Sequence, residues 1–503
     1  MRKVFGLLVG GLLAGTIATS SEAATLYVAT SGTNAGTCQI SGSPCLTVTY
    51  ALSQAAAAGD TINVAAGTYV EEVTVAKSVV VNGAGMASTI IKAPLVLTTN
   101  PAVPGGTPAQ QTTIVFVTGA ATVATLQNLQ VQGPGSTGCG SIGYGVFVGG
   151  GARLTLNNNH VMMVRDLSPP LSSCQNGSAI RYGAPSTAQS ATGAVTNNIV
   201  DTYQKNGVTI SNTGTVVTIS GNTVTGELPP PNNAQNGIQV SGGAVGTVTG
   251  NTVTNNQCGA VGCGPGLSDT WATGILLLDA GAGTVVNNNT VSNNDAGLVN
   301  VATVAGAPTL TASGNTFTNN RYAGVLVSAT TMNLTGNTIR GGEWGVVASA
   351  SSPANTVVNL TGGNVITNAT VAGVTVSDDT LSDAFTATVQ GSGNQFVGNA
   401  TGAANTPSQG TLSLSCNWWG SAYGPIAPGN PLGQGNAATA NTTFTNWAID
   451  NSSFACVGNP QNNLLLAAPA AVPTVKPWLL AVLSLLLVAC AGFSQRSGRR
   501  RLT

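Results

Sequence analysis

Gly250-Asn251-Thr252-Val253-Thr254 decides the fold, because it returns. It stands again as Gly221-Asn222-Thr223-Val224-Thr225, Asn288-Asn289-Thr290-Val291-Ser292 and Gly314-Asn315-Thr316-Phe317-Thr318. Further copies are Gly336-Asn337-Thr338-Ile339-Arg340, Gly363-Asn364-Val365-Ile366-Thr367 and Gly393-Asn394-Gln395-Phe396-Val397, with weaker ones at Asn159 and Asn198. Successive repeat asparagines lie 22 to 39 residues apart. The shortest spacing approximates one bare turn of a solenoid, and the longer ones carry loop insertions. A second short run opens at glycine between them, as in Gly274-Ile275-Leu276-Leu277 and Gly324-Val325-Leu326-Val327.

These runs are three to five residues long, β-branched and alternating, which suits half-buried strands and is too short for helices. One turn cannot bury its inner face alone, but turns stacked at ~4.8 Å pair every strand with its copies above and below. Asparagine suits the corner because it tolerates a left-handed backbone and can bond to the same residue one turn away. Stacking also explains the composition. Only 15 Lys or Arg and 15 Asp or Glu occur in 503 residues, since like charges at one phase would repel at strand spacing. A formal net charge of zero argues against a nucleic-acid partner, and a single histidine excludes His-rich metal or acid/base sites.

The ends read as address signals. Arg2-Lys3, an apolar stretch from Val4 to Ala18 and Ser21-Glu22-Ala23-Ala24 follow the order of a secretory signal peptide over 1–23. At the other end Val472-Pro473-Thr474-Val475 and Trp478 precede an apolar run to Phe493, then Arg496 and Arg499-Arg500-Arg501. From Pro477 to Phe493 the run has 17 residues, the short end of what spans a bilayer, with arginines holding the far end in the cytoplasm. This tail resembles the Ile-Pro-Thr-Leu type of sorting signal of Gram-negative envelope proteins, departing from it in two valines and in Lys476-Pro477. The resemblance implies a membrane sorting protease as partner.

Eight cysteines lie in the exported part: Cys38, Cys45, Cys139, Cys174, Cys258, Cys263, Cys416 and Cys456. An even number in an oxidising compartment reads as disulfides, and neighbouring pairs would each staple a loop, although 105 connectivities are open.

The body from about 140 to 400 resembles the right-handed parallel β-helix proteins, the pectin-lyase-like fold. Leu26-Tyr27-Val28-Ala29 reads as a first strand, Thr47 to Ala58 as an amphipathic capping helix, and Gly59-Asp60-Thr61-Ile62-Asn63-Val64 as the opening of the coils. Cys416-Asn417-Trp418-Trp419-Gly420 resembles a closing motif, with the tryptophans plugging the solenoid end. The expected fold class is all-β: a parallel β-helix solenoid with signal peptide, capping helix and C-terminal transmembrane helix. Its parts are 1–23 signal, 24–135 cap and first coils, 136–400 repeats, 401–457 closing coils, 458–472 linker and 473–503 sorting signal.

Chemistry is sparse. Lyases of this fold resemble one another in calcium-binding acids plus an Arg or Lys base, and hydrolases in Asn-Thr-Asp, Asp-Asp and Gly-His-Gly segments. Here no Asn-Thr-Asp occurs, and the only histidine, His160, reads as a corner residue. Asp378, Asp379 and Asp383 could offer oxygens to calcium, the one cofactor considered, although a solvated turn explains them as well. Phase alignment of the repeats selects a better group. Asp295, Arg321 and Glu343 fall six residues past successive repeat asparagines, and Ala296, Tyr322 and Trp344 one further. An acid, a base and an acid at ~4.8 Å steps beside two aromatic rings would suit a glycan groove, or a plain salt-bridge ladder. Arg321 between the acids should lower both pKa values, which disfavours hydrolysis and favours binding. The expectation is therefore a monomeric, non-enzymatic envelope protein for display or adhesion with a polysaccharide ligand. The alternative is a polysaccharide lyase or glycoside hydrolase acting on acidic polysaccharide.

Overall fold

The computed structural model describes residues 22–456 apart from 57, 106–110, 168–173, 229–231, 260–262, 265–269, 379–383, 406–409 and 455. Residues 1–21 of the expected signal peptide over 1–23, and the expected sorting motif with Trp478 and the apolar run after it, lie outside the described residues. Among the described residues no helix is long and apolar enough to cross a membrane.

The strands fall into three parallel sheets. Sheet A has 15 strands, from Thr25–Val28 to Thr442–Thr443; sheets B and C have 12 each, from Gly67–Val70 to Gln395–Val397 and from Val73–Val75 to Ala403–Asn405. Each coil of the repeat body gives one strand to each sheet. Val245–Thr249, Thr252–Thr254 and Thr273–Leu278 pair in register with Val285–Asn287, Thr290–Ser292 and Ala296–Val301 of the next coil. The result is a parallel β-helix. Its core is a set of stacked apolar columns, one of which runs Val224, Val253, Val291, Phe317, Ile339, Ile366 and Phe396 along sheet B, all fully buried.

The repeat asparagines form a buried ladder. From Asn159 to Asn394, each asparagine donates its backbone N–H and Nδ2 to the side-chain Oδ1 of the asparagine in the next coil, as Asn251 does to Asn289 at 2.9 Å for both. Asn417 closes it. The corner residue needs a correction. The left-handed backbone belongs to the residue before each ladder asparagine, such as Gly250 (φ 63°), Asn288 (φ 55°) and Gly314 (φ 63°). The two tasks expected of one residue are thus split between neighbours, which is why the repeat opens with Gly or Asn. A second ladder, Asn256, Asn294 and Asn320, lies five residues on. The glycines opening the sheet C strands also stack, because a Cβ on Gly274 would meet Val291 Cγ1 at 2.4 Å and Gly297 O at 2.9 Å.

Helix α1, Val48–Gln54, packs Val48, Ala51 and Leu52 inward. Its first N–H groups, from Val48 and Thr49, donate to Glu71, and Lys77 Nζ donates to the carbonyls of Leu52, Ser53 and Ala55. An acid at the N-terminus and a base at the C-terminus satisfy orphan backbone groups and oppose the helix dipole. At the other end Trp419 is fully buried against Phe396 and Phe444, with ring centroids 4.9 and 6.5 Å away, while Trp418 is only half-buried. Disulfides join Cys38–Cys45, Cys139–Cys174, Cys258–Cys263 and Cys416–Cys456.

Candidate functional site

Sheet C positions the functional side chains. In its strands the columns Val146-Ile180-Val208-Ile238-Ile275 and Val148-Tyr182-Ile210-Val240-Leu277 enter the core. The residue between them points outward by the period of a strand. That outer column runs Phe147, Arg181, Thr209, Gln239, Leu276, Val299, Leu326, Val347 and Thr375.

One end of this face is aromatic. Trp344 and Trp271 lie half-buried over Leu326 and Val347 in a cluster separate from the main core. Their rings stack at 6.2 Å and 13°, and Trp271 meets Tyr322 at 5.7 Å. The Arg321 guanidinium sits 4.8 Å from the Tyr322 ring centroid, and its NH2 donates to the Tyr322 hydroxyl. Arg321 also pairs with Asp295 at 3.2 Å.

The phase alignment needs two corrections. Ala296 pairs with Ala323, and Ala323 with Trp344, so Tyr322 is one extra residue ahead of its strand and not the mate of either. Its carbonyl accepts from Trp344 N at 2.7 Å, which absorbs the insertion. The acid–base–acid column is likewise incomplete: among the described residues Arg321 bridges only to Asp295, and Glu343 feels its charge without bridging. The pKa expectation fails in sign. Burial pushes both Asp295 and Glu343 up, and Arg321 only partly offsets it. Asp295 is fully buried, and its Oδ2 accepts from the backbone N–H of Cys258 (2.9 Å) and Ala272 (3.2 Å). It thus ties both ends of the Cys258–Ala272 loop that carries Trp271, a residue the phase alignment missed because it lies in an insertion.

The other end of the face is cationic and was also missed. A cleft of about 390 Å³ is lined by Tyr144, Ser178, Arg181, Lys205, Asn206 and Gln239, among others. Burial holds the Lys205 ammonium down at about 8. Its Nζ donates to Ala234 O at 2.7 Å. In the strand register Lys205 precedes Asn206 as Asp295 precedes Ala296, and these two positions are in register through Asn236 and Thr273. Counting six residues from the ladder asparagine of that coil, Asn198, lands on Gln204, so the phase rule that selected Asp295 passes Lys205 by one residue.

The remaining sequence candidates fall elsewhere. Asp378 ends the strand Ala372–Asp378, while Asp379 and Asp383 lie outside the described residues. His160 opens a strand of sheet B, and its Nε2 lies 2.8 Å from Asp201 of the next coil. The sulfurs of Cys139 and Cys174 lie near Asp166, but they are bonded to each other and offer no thiolate. Asp166 itself accepts from Gly140 N, Ser141 N and Asn176 Nδ2.

A family model described as "Right handed beta helix region" matches residues 182–362. No curated protein matches the chain. Among solved structures, the periplasmic alginate epimerase AlgG is similar at 14% identity and TM-score 0.45, over 70% of this chain and 75% of that one. The AlgE4 A-module, a mannuronan C-5 epimerase of Azotobacter vinelandii, is similar at 14% and 0.40 over 70% and 91%. Pectate lyase Pel9A is similar at 13% and 0.34 over 86% and 78%. Identities this low say nothing of chemistry. The chain contains a right-handed parallel β-helix.

Proposed function

We propose that this β-helix is exported and displayed at a Gram-negative cell envelope, where the outer face of sheet C binds glycan without turning it over. The observation that carries the reading is an aromatic group outside the main core, in which half-buried Trp271 and Trp344 stack beside Arg321 and the buried Tyr322. Rings that stabilised only the fold would belong to the stacked interior, whereas the two tryptophans form a partly exposed platform, backed by Tyr322, with a cation at its edge. Aromatic faces pack on sugar rings, and the guanidinium suits a sugar hydroxyl or carboxylate. Glu343 borders the platform, and Asp295 acts through the loop it ties. Truncating Trp344 and Tyr322 to alanine should each weaken glycan binding at least tenfold, read by affinity electrophoresis or calorimetry. Unchanged affinity in both variants overturns the reading.

The export reading is supported by the N-terminal charge–apolar–small order, the terminal motif and four disulfides, which persist in oxidising compartments. In this reading α1 caps the first coils, a membrane sorting protease cuts near Pro473-Thr474, and the mature chain is monomeric. Mass spectrometry of the protein from its native envelope would locate both termini; an intact 473–503 tail refutes the cut.

A second reading is an enzyme acting on acidic polysaccharide. Lys205 favours it, since an amine held near 8 by burial can accept a proton close to neutral pH. Calcium held by Asp378, Asp379 and Asp383 would belong to this reading. Calcium-dependent appearance of unsaturated sugar, lost when the three are mutated, would replace binding with lysis.

A further inference from the structure

The cationic cleft combines three features. First, it is a half-open cleft with Arg181 and Lys205 on its wall and no Asp or Glu among its lining residues. Second, among the described residues neither cation has a carboxylate within ion-pair distance, in a protein where Arg165, Arg321 and His160 each pair with an acid. Third, both are held in place. Arg181 Nε donates to Gly183 O at 3.1 Å while its guanidinium lies 5.7 Å from the Tyr144 ring centroid, and Lys205 Nζ is fixed on Ala234 O.

A half-buried cation without a counter-charge is destabilising, and the depressed affinity of Lys205 for its proton is a sign of that cost. An anion entering the cleft relieves it. The wall chemistry narrows the anion. Arginine offers a planar fork suited to a carboxylate, lysine adds a point charge, and Ser178, Asn206 and Gln239 offer neutral groups for hydroxyls. Arg181 and Gln239 also belong to the outer column that continues through Leu276, Val299 and Leu326 to the aromatic rings. From the Arg181 coil to the coil that Trp271 precedes is three strand steps, about 14 Å.

We infer that the Arg181–Lys205 cleft is a carboxylate-reading subsite, so that the glycan is an acidic polysaccharide lying along the solenoid axis from this cleft to the Trp271–Trp344 platform. The inference rests on the glycan-binding reading above and adds the ligand's charge and direction. One chain that engages both ends gains affinity with length, because the second contact becomes intramolecular.

The test uses the full mature chain and three probes: oligogalacturonate, its methyl ester and a sulfated glycan. Arg181→Gln, Lys205→Met and Trp344→Ala are compared after melting curves show each folded. Expected are a tenfold or greater loss of oligogalacturonate affinity in each cation variant, weak ester binding indifferent to them, and affinity that rises with oligomer length. Wild-type affinity in both cation variants, or no oligogalacturonate binding by the parent chain, overturns the subsite. If only Trp344→Ala loses affinity, the subsite fails and the glycan reading stands. If only the cation variants do, the platform fails and the cleft stands as an anion site on its own. Equal binding of the sulfated glycan overturns the carboxylate assignment.

Discussion

Lys205 makes the sharpest prediction, because its cost to the fold can be worked out. Burial lowers its pKa from the ordinary 10.5 to about 8. Each tenfold change in proton affinity is worth about 1.4 kcal/mol, so below pH 8 the buried ammonium costs on the order of 3 kcal/mol. Lys205→Met keeps the apolar stem and removes the charge. It also removes the bond to Ala234 O, at a cost of about 1 to 2 kcal/mol for a buried acceptor left alone. The variant should therefore be more stable than the parent by about 1 to 2 kcal/mol at pH 7.

The pH dependence has a definite sign. Below pH 8 the lysine is protonated in both folded and unfolded chains, and the whole cost is present. Between about 8 and 10.5 the folded chain gives up its proton first, so parent stability rises with pH relative to the variant. Near pH 10.5 the charge penalty is gone and only the lost bond to Ala234 remains. The order should then reverse, with Lys205→Met less stable. Denaturant midpoints of both proteins from pH 6 to 10.5, read as differences so that shared effects cancel, measure this directly. A variant less stable than the parent by the same amount at pH 7 and pH 10 would refute the claim that the cleft holds a strained cation.

Other expectations follow from the ladders and columns. Asn289→Ala removes the acceptor for Asn251 N–H and Nδ2 and the donor to Asn315 and Val248, and should cost about 2 to 4 kcal/mol by denaturant unfolding. Gly274→Ala should cost about 1 to 3 kcal/mol, since the added methyl meets Val291, Asn294 and Gly297 together; a neutral result would mean that the coils can slide apart. Asp201 is pushed up by burial, but the hydrogen bonds from His160 and Thr202 and the charge of His160 outweigh this and hold it below the usual carboxylate range. Its contribution is present above about pH 4 and fades as pH falls through the folded value, and His160→Ala should flatten that acid limb of the stability curve.

The fold was legible because stacking writes itself into the sequence: a coil must repeat its corner, its core column and its ladder residue at every turn. Gly250-Asn251 announces all three. The shorter ladder of Asn256, Asn294 and Asn320 lay just as openly in the doubled asparagines 255–256, 293–294 and 319–320, but its span of three coils leaves too few copies to stand out. The site was legible only in part, for a physical reason. Functional side chains stand where the repeat breaks: Trp271 on an insertion, Tyr322 as an added residue, Lys205 one residue past the ladder phase, and Arg181 on a strand between two long connections. Phase counting from the ladder finds a column while the coils stay regular. It slips by one wherever a residue such as Tyr322 is added.

Charge scarcity acquires a second meaning from the pairs. Arg165 with Glu227, His160 with Asp201 and Arg321 with Asp295 all reach between coils, so each acts as a clasp along the solenoid axis. Lys77 is consumed by the carbonyls at the end of α1. Arg153 and Arg340 stand exposed, where water screens an unpaired charge at little cost. Arg181 and Lys205 fit neither pattern, being withdrawn from solvent, close together and without an acid. A fold that removes charge from nearly every phase of its repeat has no structural need for two cations in one cleft. Their cost is most simply balanced by an anion from outside, and the face that holds them leads to the only aromatic stack among the described residues that includes two half-buried tryptophans.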